Sequence, residues 1–313
     1  MWHKHPKYLS ARGRFISEFL SWELTSLHIY MPKIVFICGG DESYCKNRAK
    51  LETYIQNHLP KYLTFRAENA WAVISEHFNS DKSNKETNAL ALEEWLADFS
   101  DIVIILVESF GTVAELGAFS LSPVLRKKLI PILDKRYKND ESFINTGPIR
   151  WVDSDSRFSP SIYTDFSTIL TCMPELEARM SKNRNSLNSA EESHGKYNYS
   201  KKVLLFFILY LISAFGPITS AEVSSLTEDM IGIKDKKLIS FIISVGVALN
   251  IFEKYEIDNE VFFTCFEFDK LFRAEEPKKL LNSIQEARAR NLSKLLLIPQ
   301  YRYILKRVTS DVS

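Results

Sequence analysis

The chain has 313 residues, enough for two domains and for at least one sizeable core. Hydrophobic residues make up 45% and charged residues 25%, the balance of an ordinary soluble globular protein. A formal net charge of +1 excludes any case built on global electrostatics, so only local asymmetry carries information. The four cysteines, Cys38, Cys45, Cys172 and Cys265, form no CxxC pair and have no histidine at ligand spacing. They read as reduced thiols of a cytoplasmic protein, with no metal site expected. Met1 to Tyr30 carries charges throughout and shows no secretory leader, and the longest apolar run, Val203 to Phe215, falls short of the roughly 20 residues a span needs.

In chain order, residues 1–30 form a helical N-terminal extension. Ser10 is placed to cap a helix whose apolar positions Phe15, Phe19, Leu20 and Leu24 recur at three-to-four spacing. Lys33-Ile-Val-Phe-Ile-Cys-Gly-Gly-Asp41 is a short buried strand ending in two glycines and an acid. Paired glycines at that edge either let a ligand approach the backbone or make a simple tight turn. Asn47 to His58 reads as a helix ended by Pro60, and Leu63 to Ala67 as a strand. Ala70 to Phe78 is apolar at helical spacing, Asn79 to Asn88 is a polar loop, and Ala89 to Phe99 is a helix.

The stretch from Asp101 to Ser120 carries the chemistry. Ile102 to Val107 is a buried strand, Glu108-Ser-Phe-Gly-Thr112 a polar turn, and Val113 to Leu121 a helix with Glu115 in its first turns. Strand, glycine turn and helix start is the arrangement in which backbone N–H groups point at an anion. A carboxylate in the first turn of a helix gains about 0.3–1 kcal/mol from the dipole alone, so a structural role for Glu115 stays open here. Lys128 to Leu133 is a further strand, Ser142 to Pro148 a loop, and Ile162 to Arg179 a helix interrupted by Pro174. Strands alternating with helices predict an α/β, Rossmann-like, doubly wound and mostly parallel sheet over residues 31–180.

Residues 181–200, rich in Ser, Asn, Lys and Glu, are the expected linker to a mainly helical domain over 201–313. There, helices are expected at Val203–Phe215, Ala221–Met230 and Lys236–Phe252. Strands Glu253–Ile257 and Glu260–Phe266 are joined by an Asp258-Asn259 hairpin turn. Three helices and a hairpin resemble a winged helix-turn-helix. Residues 270–313 hold ten Lys/Arg against four acids, a local net charge of +6, with Tyr301 and Tyr303 interleaved. Lys278, Lys279, Arg288, Arg290, Arg302, Lys306 and Arg307 are the candidate phosphate-backbone contacts, a solvated helix face being the plainer alternative.

Glu108-Ser-Phe-Gly-Thr-Val-Ala-Glu-Leu-Gly-Ala-Phe-Ser120 resembles the Gly-(Ser/Thr)-x-x-Glu-(Leu/Ile)-Gly signature of nucleoside 2-deoxyribosyltransferase-like proteins. Together with Cys38-Gly-Gly-Asp41 and Phe143-Ile-Asn-x-Gly-Pro148, it is similar to the toxic effectors encoded beside retron reverse transcriptases. Those effectors join a transferase-like domain to a C-terminal winged-helix-like DNA-binding domain. The resemblance implies that Glu115 attacks or stabilises the anomeric carbon of an N-glycosidic bond, whose transition state is oxocarbenium-like. It implies further that Gly39, Gly40, Ser109, Gly111 and Thr112 line the phosphate and sugar pocket. Asp41, Glu93 and Glu108 would contact hydroxyls or orient Glu115, and Asn145 would hydrogen-bond the substrate.

The same resemblance implies NAD as a substrate rather than a cofactor, cleaved during antiphage defence. It also implies a reverse transcriptase and its RNA-linked DNA (msDNA) as restraining partners, and an oligomer. NAD suits the residues on separate grounds: nicotinamide leaves as a neutral base, so no general acid is required, and none is evident near the motif. Gly39-Gly40-Asp41 replaces the aromatic or hydroxyl residue usual at the end of the transferases' first strand, which favours hydrolysis over base transfer. Two alternatives stand beside this expectation. One is a non-catalytic nucleotide-sensing DNA-binding regulator. The other is a deoxyribosyltransferase or a phosphoribohydrolase acting on nucleoside monophosphates, although the Pro-Gly-Gly-x-Gly-Thr run of the latter is absent.

Overall fold

The computed structural model describes residues 2–19, 32–68, 96–97, 99–181, 200–265 and 278–310. The helices and loop expected over 70–99, with Glu93, lie almost wholly outside these residues, as does the 181–200 linker. In chain order the described elements begin with α1 (Pro6–Phe19), β1 (Lys33–Cys38), α2 (Asn47–His58) and β2 (Tyr62–Phe65). They continue with β3 (Ile102–Leu106), α3 (Phe110–Leu121), β4 (Leu129–Asp134), β5 (Ile162–Thr164) and α4 (Met173–Ser181). The last are α5 (Lys201–Phe215), β6 (Ile218–Thr219), α6 (Ser220–Ile231), α7 (Lys236–Ala248), β7 (Glu253–Ile257), β8 (Glu260–Thr264), α8 (Lys278–Leu295) and α9 (Pro299–Ser310). The described residues from 32 to 181 form one compact unit, and residues 2–19 with those from 200 onward form another.

The first unit is α/β. Its five strands are parallel in the order β2-β1-β3-β4-β5. β1, β3 and β4 are predominantly apolar runs buried on both faces, as central strands of a covered parallel sheet must be. Val35, Ile37, Ile104, Ile130 and Ile132 meet Leu51 and Ile55 of α2 and Met173, Leu176 and Met180 of α4 in one core. Asp101 pins the register: its carboxylate accepts from the Ile34 amide at 2.7 Å and its own amide donates to the Ile34 carbonyl at 2.9 Å. The chain leaves β1 toward β2 on one side and β3 toward β4 on the other. The strand order therefore reverses between β1 and β3, and in open α/β sheets ligands bind in the crevice at such a switch point.

Four local expectations are corrected in this unit. α3 starts at Phe110, so Gly111 and Thr112 lie in its first turn and not in a bend before it. The 142–148 loop is instead partly a wide helical turn, Asn145–Ile149, which packs against α3. The helix expected over Ile162–Arg179 holds from Phe166 onward, as a tight helical stretch to Cys172 and then α4. Its first residues, Ile162–Thr164, are a fifth strand too short for periodicity to reveal. Pro174 sits in the first turn of α4, where its missing N–H costs nothing, and does not interrupt a longer helix.

The second unit centres on α5, buried from Val203 to Phe215. α1 is no separate extension: Tyr8, Ala11 and Phe15 are buried, and the Phe15 ring lies 4.9 Å from that of Phe215 and 5.3 Å from that of Tyr210. It begins at Pro6 and not at Ser10, whose hydroxyl receives a hydrogen bond from Lys294 Nζ at 2.9 Å. Thr219 and Glu222 form a reciprocal cap at the start of α6, which ends at Gly232 with φ 74°. α7 stops at Ala248 rather than 252 because the Phe252 ring folds back over Gly246, where a Cβ would come within 2.2 Å of it. β7 and β8 form a hairpin through Asp258 and Asn259, both at positive φ, and β6 adds an antiparallel strand in the order β6-β8-β7. Among the described residues no helix is long and apolar enough to cross a membrane, and no cluster of three His, Cys, Asp or Glu could hold a metal.

Candidate active site

The crevice between β1 and β3 is closed by hydrogen bonds that follow from the sequence after β3. Ser109 caps α3, accepting from the Thr112 amide at 3.3 Å, while Thr112 Oγ1 accepts from the amides of Glu108 at 3.1 Å and Ser109 at 3.0 Å. Three backbone donors of the expected anion cradle are thus satisfied internally, and Thr112 is buried. Gly111 is exposed, and a Cβ there would meet only Ser109 Oγ, at 3.7 Å. Glu108 reaches across the crevice: Oε1 accepts from the Gly40 amide at 3.2 Å and Oε2 from Asn47 Nδ2 at 3.1 Å. It joins the end of β3 to the turn after β1 and to the start of α2.

Gly39 and Gly40 admit protein side chains to the strand end. A Cβ at Gly39 would lie 2.7 Å from Arg48 Cβ, and one at Gly40 would lie 2.5 Å from Cys45 Sγ. The Arg48 stem consequently rests on Gly39, and Arg48 is 4% exposed although its Nη1 donates to Glu68 at 2.6 Å.

Glu115 lies in the second turn of α3, half-buried, and accepts a hydrogen bond from the Cys38 thiol at the end of β1. Burial, foremost, raises its pKa above the ordinary carboxylate value. Glu68 pushes the same way, while the Cys38 bond and the Arg48 charge oppose. Its Oε2 is buried without a hydrogen-bond partner among the described residues, and so is Arg48 Nε. Buried polar atoms are normally bonded, so an acceptor and a donor both left over beside the end of β1 single it out as the candidate site, although Tyr8 and Ser213 of the other unit also hold buried hydroxyls without a partner among the described residues. The carboxylate keeps one oxygen without a protein donor, open to a ligand's hydroxyl, while the ionised group as a whole can stabilise an electrophilic carbon.

The remaining sequence candidates divide. Asp41 is exposed and accepts from the Ser43 amide and hydroxyl, which hold its pKa below the usual value. It closes a turn of its own. Asn145 donates to the carbonyls of Tyr137 at 2.7 Å and Asp140 at 2.8 Å and accepts from Tyr163 at 3.2 Å, so its amide is committed to the 137–145 loop. Arg48 and Glu68 are not legible as site residues in the sequence, and Cys38, though it opens the Cys38-Gly-Gly-Asp41 motif, has no role assigned there: nothing in the weakly amphipathic Asn47–His58 segment marks Arg48 as inward-facing. An open groove along another face of α2, lined by Lys50, Thr53, Tyr54, Asn57, His58 and Leu170, shares no residue with this cluster.

A family model described as STM3845 retron effector protein matches residues 44–254, more than half of the chain. The chain belongs to this retron effector family. Two relatives from Escherichia coli agree with that placement. One, described as the candidate ribosyltransferase/DNA-binding protein of retron Ec73, is 30% identical over 159 residues, covering 50% of this chain and 49% of the relative. The other, described likewise for retron Ec86, is 35% identical over 118 residues, 37% of this chain and 36% of the relative. The chain spans about half the length, or less, of the curated relatives it matches.

In this retron effector the expected basic face of the C-terminal unit is smaller than its composition suggests. Arg288 Nη1 donates to the carbonyls of Ser213 at 2.8 Å and Gly216 at 3.1 Å, and the buried Tyr301 hydroxyl donates to those of Phe215 and Gly216. With Asn291 on the Ala214 carbonyl they cap the C-terminus of α5, so Arg288 is a structural residue. Arg290 pairs with Glu18 and Glu286. Arg302, Lys306 and Arg307 are exposed on α9, the last stacked 5.5 Å from the Tyr303 ring. The side chains of Lys278 and Lys279 lie outside the described residues.

Proposed function

We propose that this retron effector is a toxic N-glycosidase of antiphage defence that breaks the ribose–base bond of a nucleotide, NAD being the substrate the chemistry favours. The observation that carries the reading is the unpartnered, buried Oε2 of Glu115 beside the end of β1, at the reversal of strand order. The ribosyltransferase part of the relatives' names supports chemistry at a ribosyl bond. A nucleoside 2-deoxyribosyltransferase-like ancestry of the 31–180 domain fits the motif around Glu115.

As the C1′–N bond lengthens, its electron pair leaves with the nicotinamide nitrogen, which becomes neutral and needs no proton. The Glu115 carboxylate stabilises the positive charge on C1′ or bonds to it. Water then supplies the oxygen at C1′ and releases its proton, giving nicotinamide and ADP-ribose. The reacting form is ionised, so activity rises with pH through the raised pKa of Glu115. Cys38 and Arg48 hold the charged form available in a buried place that would otherwise protonate it.

The C-terminal unit, with helices α5, α6 and α7 and the β6-β8-β7 sheet, has the element order of a winged helix, and we read it as the arm that meets the msDNA and reverse transcriptase. Its third helix, α7, is buried over most of its length, and the hairpin carries Glu253, Glu256, Asp258 and Glu260 against Lys254. We read phosphate contact on α9, whose Arg302, Lys306 and Arg307 are exposed together, with the exposed Lys234, Lys236 and Lys237 at the start of α7 as a second basic group. A DNA-binding regulator that senses a nucleotide without turnover is the second reading, favoured by the same arrangement.

Incubating the purified protein with NAD, deoxynucleosides and nucleoside monophosphates, then measuring released base, separates the two. Base release by the wild type and at least a thousandfold less by Glu115→Gln supports the glycosidase, in keeping with loss of a group used only in the transition state. Equal release by the variant rules it out.

A further inference from the structure

The site leaves two complementary atoms over. Arg48 Nε is a donor and Glu115 Oε2 an acceptor, both buried, and neither has a partner among the described residues. The Arg48 guanidinium cannot swing freely. Its stem is pressed on Gly39 and its Nη1 is held by Glu68 at 2.6 Å, so Nε has one direction to offer its hydrogen. An anionic group would satisfy Arg48 but would add negative charge beside Glu115, whose carboxylate is already disfavoured by the charge of Glu68. A hydroxyl satisfies both leftover atoms at once, accepting from the guanidinium and donating to the carboxylate.

We propose that Arg48 is the sugar-reading residue, its Nε donating to the 2′-hydroxyl of a ribose and that hydroxyl donating in turn to Glu115 Oε2, so that the protein takes ribosides and rejects 2′-deoxyribosides. The inference rests on the reading of Glu115 as the carboxylate that faces C1′. Given that, the hydroxyl within its reach is the one on the adjacent carbon. A site built to bond a hydroxyl discriminates strongly against the analogue lacking it, because its own buried groups are then left unpaired.

The test uses the full chain and two matched pairs of probes, AMP with dAMP and NAD with its 2′-deoxyribosyl counterpart. Binding is measured by calorimetry to the wild type and to Glu115→Gln, each alone and combined with Arg48→Met or Arg48→Lys. The wild-type comparison decides the ribo preference, and base release is measured on the wild type. The ribo member of each pair is expected to bind at least about tenfold more tightly, in line with a hydrogen bond to a charged group. Arg48→Met is expected to erase that difference by weakening the ribo member alone. Equal binding within each pair, or equal weakening of both members, overturns the assignment. If Arg48→Met does not fold, the comparison within each pair and the Arg48→Lys variant still decide. Riboside-selective binding without base release keeps Arg48 and removes the glycosidase. Base release without ribo preference does the reverse, and no binding of any probe removes both.

Discussion

Glu108, a candidate catalytic residue by its place in the sequence, is a clamp in the structure, and its removal has a calculable signature. Its two oxygens accept from the Gly40 amide and from Asn47 Nδ2. Glu108→Ala strands both donors in a half-buried crevice. An unsatisfied buried donor costs about 1–3 kcal/mol, and partial exposure puts each at the low end, so a loss of roughly 2–3 kcal/mol is expected. Glu108→Gln keeps one acceptor but turns an NH2 toward the second donor, for a loss of about 1–2 kcal/mol. Urea unfolding gives these numbers directly, and base release measured on the same samples gives the functional side. A clamp predicts that Glu108→Gln lowers kcat by a modest factor while the pH profile keeps its shape, because Glu115 still titrates. A Glu108→Ala variant as stable as the wild type, or a Glu108→Gln variant whose profile loses an ionisation, would refute the clamp.

Three further expectations follow from single contacts. Gly39→Ala puts a methyl 2.7 Å from Arg48 Cβ, near the backbone where the side chain cannot give way. It should destabilise by about 1–3 kcal/mol and abolish riboside binding while thermal melts still show a folded protein; unchanged binding would contradict it. Glu222 is buried, and burial raises its pKa from 4.5 to about 7 against its Thr219 hydrogen bonds, with Glu260 and Arg12 as charged neighbours. The folded state holds this proton more tightly than the unfolded chain, so stability falls as pH rises from about 4.5 to 7 and stays low above. Glu222→Gln should therefore gain on the wild type by up to about 3 kcal/mol between pH 5 and 8, and parallel stability–pH curves would exclude this. Arg302→Ala with Lys306→Ala on α9 should weaken nucleic-acid binding and make its log–log salt slope shallower by about 0.9 for each phosphate no longer neutralised; an unchanged slope moves the binding face elsewhere.

What the sequence reveals follows from how each signal arises. β1, β3 and β4 are legible because each is a short apolar run, too short for a helix and bounded by polar or turn residues, with β-branched side chains dominating β3. β5 is not, since Ile162–Thr164 is too short to show a period and merges with the helical pattern that follows. The start of α3 is easily placed too late because Gly111 reads as a bend, although Ser109, three residues before Thr112, already carries the cap. Glu115 stands out through its motif. Arg48 does not, because what buries it is the absence of a side chain at Gly39, a meeting of segments nine residues apart. The basic C-terminal count misleads at Arg288 for a related reason: a guanidinium can serve a helix end as readily as a phosphate.

The central claim is positional, that the Glu115 carboxylate faces a sugar's anomeric carbon at the end of β1. A crystal structure of Glu115→Gln with bound NAD measures that directly. The account predicts C1′ within about 3.5 Å of the residue-115 side chain, the separation of a reacting pair, with the ribose between it and Arg48. NAD seated along α2 by Tyr54 and His58, or with its ribose turned away from residue 115, would contradict it.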